Sequence, residues 1–180
     1  MAANSNLDNL GSEIIDFSLK GIDEKIYSLN DFENKDLFII VFMCNHCPYV
    51  KDVINRFVKF QDKYKNIQLI GINSNDTESY PEDSFENMKL FAEEHNINFP
   101  YLIDETQNVA REYGAVCTPD IFLYDKNRVL KYRGRLDDNR KDENLVKEKD
   151  LEKAAELLLG GKEINFTQTP SIGCTIKWKS

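Results

Sequence analysis

The stretch Leu37-Phe38-Ile39-Ile40-Val41-Phe42-Met43-Cys44-Asn45-His46-Cys47-Pro48 decides how this chain is read. Residues 37–42 are a short apolar run, rich in β-branched and aromatic side chains, which predicts a buried strand. After Pro48, the residues Val50, Val53, Ile54, Phe57 and Tyr64 recur at helical spacing and form one apolar stripe. That spacing predicts an amphipathic helix from about Pro48 to Lys65. Two cysteines, two residues apart, therefore stand where a strand ends and a helix begins.

That position favours thiol chemistry. The first turn of a helix carries unpaired N–H groups and the positive end of the dipole, so a thiolate there is stabilised. The thiolate is the species that attacks a disulfide. Cys44 is expected to be the exposed nucleophile and Cys47, inside the first turn, the resolving thiol. Pro48 fits because a first-turn N–H has no partner to lose. A zinc site would need a second C-x-x-C or a spaced histidine pair. Cys117 and Cys174 are far apart in sequence, and His95 is the only other histidine, so a redox dithiol with no metal and no cofactor is the favoured reading.

Working outward, 180 residues suit one domain with a real core. Hydrophobic residues at 41% and charged residues at 30% are ordinary globular values, so neither disorder nor a membrane class is indicated. The net charge of −8 argues against nucleic acid and anionic membranes as partners. No run approaches transmembrane length. Met1 to Glu13 is polar and lacks the basic-then-apolar pattern of a secretory signal, so a cytoplasmic location is expected. A dithiol there is kept reduced and used in turnover.

Residues 14–30 read as two short strands around a turn, a half-buried hairpin. Ile67 to Asn73 is a second core strand, followed by a helix from Ser84 to Glu94 with His95 near its end. Phe99 to Asp104 is a short strand, and Thr106 to Tyr113 a short helix closed by Gly114. After Cys117-Thr118-Pro119-Asp120, the segments Ile121–Tyr124 and Val129–Tyr132 form a strand pair. Residues 136–149 read as a solvated loop and Leu151 to Leu159 as a last helix; strand-like pieces follow at Ile164–Phe166 and Thr175–Trp178. These elements predict an α/β fold, a central mixed sheet flanked by helices with an N-terminal β-hairpin extension. The expected division is a loosely held N-terminus over 1–12, one domain over 13–160, and a tail over 161–180. The apolar Phe166, Ile172, Ile176 and Trp178 should dock that tail on the domain.

The leader Asp16-Phe17-Ser18-Leu19, the string Phe42 to Tyr49 and the later Thr118-Pro119 together resemble the thioredoxin superfamily, in its redoxin (AhpC/TSA-like, peroxiredoxin-like) branch. The resemblance spans about residues 12–160 and implies a thioredoxin-like fold. It implies a cis Pro119 facing the dithiol, with Thr118 offering backbone groups to an extended partner. It implies thiol–disulfide exchange with a protein disulfide or small-thiol substrate and a thiol reductant. Two departures stand out: Met43 occupies the place where many relatives have Trp, and Phe38 the place of a buried Asp.

Peroxidase chemistry is the alternative. Peroxiredoxins resemble P-x-x-x-T-x-x-C; with Cys47 as the final residue, the Thr becomes Cys44 and the Pro becomes Ile40. Both peroxide-positioning groups are then missing, which favours exchange over peroxide attack. Copper- or zinc-handling is a third class, with His95 as the only distant histidine. Asn45 and His46 lie between the cysteines, where a partly protonated His46 would favour the Cys44 thiolate. Cys117 and Cys174 are candidate auxiliary thiols, and Arg133 and Arg135 are candidates to approach the site.

Overall fold

The computed structural model describes residues 1–180. Ten strands and five helices follow in order: β1 (Ala2–Asn4), β2 (Leu19–Gly21), β3 (Ile26–Tyr27), β4 (Leu37–Phe42), α1 (Pro48–Lys51), α2 (Ile54–Lys63), β5 (Ile67–Asn73), α3 (Phe85–Glu94), β6 (Tyr101–Ile103), α4 (Asn108–Tyr113), β7 (Cys117–Thr118), β8 (Asp120–Tyr124), β9 (Leu130–Arg133), α5 (Asp150–Leu159) and β10 (Ile172–Thr175). Seven strands make one mixed sheet in the order β3-β2-β6-β5-β4-β8-β9. Its centre is parallel, β4 with β5 and β5 with β6, while β8 and β9 run antiparallel beyond β4. The β2–β3 hairpin adds to the far edge beside β6.

Every residue of β4 is buried, and its pleat divides the core. Leu37, Ile39, Val41 and Met43 face one side, where Phe57, Met88, Phe91, Leu151 and Ala154 of the helices cover them. Phe38, Ile40 and Phe42 face the other, against Ala110, Tyr113, Phe17 and Leu29. A strand covered on both faces must be apolar throughout, which is why 37–42 reads as a continuous run rather than an alternation.

The helix expected from Pro48 to Lys65 is two pieces. At Val53 the amide bonds back to the Val50 carbonyl at 3.0 Å, a tightened turn that separates α1 from α2. Val53 stays buried through the break, so the apolar stripe survives it.

Both termini are tied to the domain. The N-terminus is paired, not loose: β1 runs antiparallel to β10, Ser5 N–H donates to the Ser171 carbonyl, and Ser171 N–H donates to Ser5 Oγ, both at 2.9 Å. Alternate backbone amides of this edge strand thereby find partners that solvent would otherwise supply. The tail strand is Ile172–Thr175, while 164–166 forms none. The tail continues along the domain: Asp76 N–H donates to the Lys177 carbonyl at 2.8 Å, and Lys177 N–H to Asn75 Oδ1 at 2.9 Å. Trp178 is 38% exposed, with the Arg111 guanidinium 4.4 Å from its ring centroid. The segment 136–149 is also anchored, because the Arg56 guanidinium takes the buried Asp137 carboxylate and the Asn139 carbonyl. No helix is long and apolar enough to cross a membrane.

Candidate active site

Strand β4 carries the chain to Met43, whose amide still pairs with the Ile72 carbonyl, and releases it at Cys44. Cys47 is the N-cap of α1, with Pro48 in the first helical position. The Val50 and Lys51 amides bond to the Cys47 carbonyl, so the helix begins at the second cysteine and not at the first. Opposite stands the loop between β7 and β8, where the Thr118–Pro119 peptide is cis. The Cys44 sulfur lies 3.6 Å from Thr118 Oγ1, and the Cys47 thiol donates to the Thr118 carbonyl at 3.1 Å. Two thiols and the cis-proline loop thus converge from positions more than seventy residues apart.

Cys44 is not the exposed residue of the pair. Its exposure is 1%, and that of Cys47 is 0%. The reason lies in β10, which pairs antiparallel with β7 and places Cys174 opposite Thr118. An added Cβ at Gly173 would stand 2.0 Å from the Thr118 carbonyl oxygen, so only a glycine allows the tail this close. The edge that an extended partner would use is filled by the chain's own C-terminal strand.

Sequence reasoning missed Asp83. It lies in the 3-10 turn Pro81–Asp83 ahead of α3, fully buried. Its Oδ1 accepts the backbone N–H groups of Asn45 at 2.8 Å and His46 at 3.2 Å. Its Oδ2 lies 2.6 Å from His46 Nδ1 and accepts from Asn75 Nδ2 at 2.7 Å. The amides that follow Cys44, which a thiolate there would want, are held by a carboxylate instead. The buried Asp83 carboxylate thereby opposes the expected Cys44 thiolate. Hydrogen bonding to Cys47, burial and the Asp83 charge all push the Cys44 thiol well above its ordinary value. The Cys47 thiol is drawn down, first by the bond from Cys44 and then by Thr118 and Cys174, against the cost of burial. Of the two thiols, Cys47 is the one drawn toward the anion.

The carboxylate that the resemblance places at Phe38 has no counterpart there, since Phe38 faces the opposite core. The one beside the dithiol enters from the loop after β5 and meets Cys44. A weak signal was available: a helix N-terminus at Pro81-Glu82-Asp83-Ser84 concentrates acidic side chains, though nothing local aims one at the cysteines.

The remaining candidates separate clearly. Asn45 is buried, donating to the Glu82 carbonyl and accepting from the Tyr101 hydroxyl at 2.9 Å. His46 stacks on Tyr80, with ring centroids 5.8 Å apart. Cys117 is buried with its thiol pushed far up, foremost by burial, and packs as a small apolar group. Cys174 is partly exposed and packs against the cluster that contains Cys44 and Cys47. Arg133 is buried in a bidentate ion pair with Asp120. Arg135 pairs with Asp150 and lines a groove of about 390 Å³ together with Pro119, Tyr49, Val53, Arg140 and Ile172. His95 caps α3 against Phe91, remote from the dithiol's donor group. Cys44, His46 and Asp83 bring metal-capable atoms within 4.8 Å of one another. Each Asp83 oxygen already meets two nitrogens, so a metal would have to displace them.

The AhpC/TSA family model matches residues 10–133. Among curated proteins, the thiol-disulfide oxidoreductase ResA of Bacillus thuringiensis subsp. konkukian (strain 97-27) is 24% identical over 124 residues, covering 66% of this chain and 65% of that protein. The chain thus spans about two thirds of the length of that relative. Among solved structures, an uncharacterized conserved protein from Geobacillus kaustophilus is 44% identical with a TM-score of 0.94, over 99% of this chain and 97% of the other. A thiol:disulfide interchange protein of the thioredoxin family from Chlorobium tepidum TLS has a TM-score of 0.64 at 17% identity, over 87% of this chain and 100% of the other. The last likeness shows a thioredoxin-like fold.

Proposed function

The chain belongs to the AhpC/TSA family, and on that premise we propose that it is a thiol–disulfide oxidoreductase whose working pair is Cys44 and Cys47. The observation that carries this is the convergence of both sulfurs on Thr118, one at 3.6 Å and one at 3.1 Å, beside cis Pro119. Two thiols held together can take a disulfide apart. A thiolate attacks one sulfur of the partner, the partner's S–S bond breaks, and a mixed disulfide forms with release of one thiol. The second thiol then attacks its neighbour, closes the Cys44–Cys47 bond and releases the second thiol. The dithiol loses two electrons and the partner disulfide gains them. A thiol reductant reverses the cycle.

In this reading the Cys47 thiolate attacks and Cys44 resolves, its proton leaving beside the Asp83–His46 pair. The groove beside Pro119 and Tyr49 would receive a protein disulfide or a small disulfide. A cytoplasmic location belongs to the same reading, because a reducing compartment would keep the dithiol form at rest.

Purified protein assayed in parallel against a protein disulfide and hydrogen peroxide tests the proposal, alongside a glutathione titration of the pair. Disulfide reduction that Cys47→Ser abolishes over repeated turnovers is expected. Peroxide turnover that persists in Cys44→Ser at the unmodified rate would instead establish peroxidase chemistry.

A further inference from the structure

The C-terminal strand does more than close the fold. Cys174 sits in register with Thr118, the residue whose carbonyl lies 3.1 Å from the Cys47 sulfur. Strand β10 contacts α1, at whose N-cap Cys47 stands, and the Cys174 side chain packs on the cluster that includes both dithiol sulfurs. Its seat is built from several sides. Gly173 lets the strand meet Thr118, β1 pairs with its outer edge, and Lys177 ties its end to Asn75. The occupied edge is the one an added partner strand would take in β-augmentation, where backbone pairing places alternate side chains in the site.

We propose that Cys174 is a third redox thiol of this site, held by the C-terminal strand in the place of a partner's cysteine so that it exchanges with Cys47. The proposal rests on the dithiol reading above and extends it. Once the Cys44–Cys47 bond has formed, the Cys174 sulfur attacks Cys47. The Cys44–Cys47 bond breaks, a Cys47–Cys174 bond forms, and the electron pair leaves on Cys44, which takes the proton given up by Cys174. No electrons are gained or lost, so no further oxidant is needed.

Exposure supplies the purpose. Cys44 and Cys47 are sealed, whereas Cys174 is partly exposed at the domain surface. Moving the disulfide from Cys44–Cys47 to Cys47–Cys174 carries it from the core toward a thiol reductant outside. Cys174 is among the groups that draw the Cys47 thiol down, in keeping with neighbouring sulfurs.

The test uses the full chain with Cys44→Ser, so that Cys47 lacks its ordinary resolver. Treated with oxidised glutathione, Cys47 takes up one glutathione and releases the other. If Cys174 is a redox thiol, it attacks Cys47, forms the Cys47–Cys174 bond and releases the second glutathione. Peptide mapping by mass spectrometry under non-reducing conditions is expected to find that linkage as the main product. The Cys44→Ser/Cys174→Ser protein should instead hold glutathione on Cys47. Gly173→Ala in the Cys44→Ser background should cut the linkage at least tenfold, because the added methyl pushes the strand from Thr118. A lasting glutathione adduct on Cys47 in Cys44→Ser overturns the third-thiol proposal. The unsubstituted protein, treated in parallel, separates the two readings. If it forms neither a Cys44–Cys47 nor a Cys47–Cys174 bond, the dithiol reading falls as well.

Discussion

Asp83 Oδ2 lies 2.6 Å from His46 Nδ1, and the opposite oxygen of the same carboxylate holds the His46 backbone amide at 3.2 Å. One buried side chain thus grips both the ring and the backbone of His46, the second of the two residues between the cysteines. Its charge is among the causes that push the Cys44 thiol up. Removing the charge and removing its partner should therefore act in opposite directions. Asp83→Asn is expected to lower the pH at which Cys44 ionises, and His46→Ala to raise it. The absorbance of thiolate near 240 nm, followed from neutral to alkaline pH in the reduced protein, reads both shifts. Equal movement in the same direction would remove Asp83 from the electrostatics of the site.

The Cys47 thiol is drawn down, foremost by its hydrogen bond with Cys44. At about pH 6, well below the ordinary thiol value of roughly 8.5, reduced protein should show one thiolate. Cys47→Ser should lose that absorbance. A signal unchanged in Cys47→Ser and lost in Cys44→Ser would return the thiolate to Cys44.

The same shift links stability to pH. The folded-state value of Cys47 lies below its unfolded value, so its ionised form stabilises the reduced fold. That contribution is complete above about 8.5, the ordinary thiol value, and is lost as pH falls through the depressed folded value. Cys44 has the opposite sign: above that pH the unfolded thiol ionises where the folded one does not, which costs stability as pH rises. Urea midpoints of the reduced protein and of Cys47→Ser should draw together as the solution is acidified from pH 8. Midpoints that move apart would contradict the sign.

Arg133 and Asp120 pin the loop that carries Pro119. Nε and an Nη of the guanidinium meet the two Asp120 oxygens at 3.2 and 2.7 Å, and Asp120 also accepts the Val116 amide at 3.0 Å. Both side chains are almost wholly buried. Asp120→Ala leaves a buried guanidinium without its counter-ion and should cost about 3–5 kcal/mol in denaturant unfolding. Asp120→Leu combined with Arg133→Met should recover part of that loss, since replacing both charges removes the unpaired one. A single substitution costing less than about 1 kcal/mol would mean that water reaches the pair.

Leu37 to Phe42 announced a central strand, because a strand covered on both faces must be apolar at every position and such a run is visible locally. Cys44, Cys47 and Pro48 followed directly as a dithiol at a helix start, and the stripe from Val50 to Tyr64 marked the helix that packs behind it. These features repeat over a few residues, which is the range at which a sequence can be read without its fold. Tertiary structure alone decided what surrounds the sulfurs. Asp83 reaches His46 across 37 positions and Thr118 reaches Cys47 across 71, and the tail strand comes from the far end of the chain to cover them. Exposure and the resting place of a proton depend on every charge and donor brought near in space. A cysteine motif read alone predicts an exposed Cys44 thiolate, whereas the folded chain buries Cys44 and pushes its thiol up.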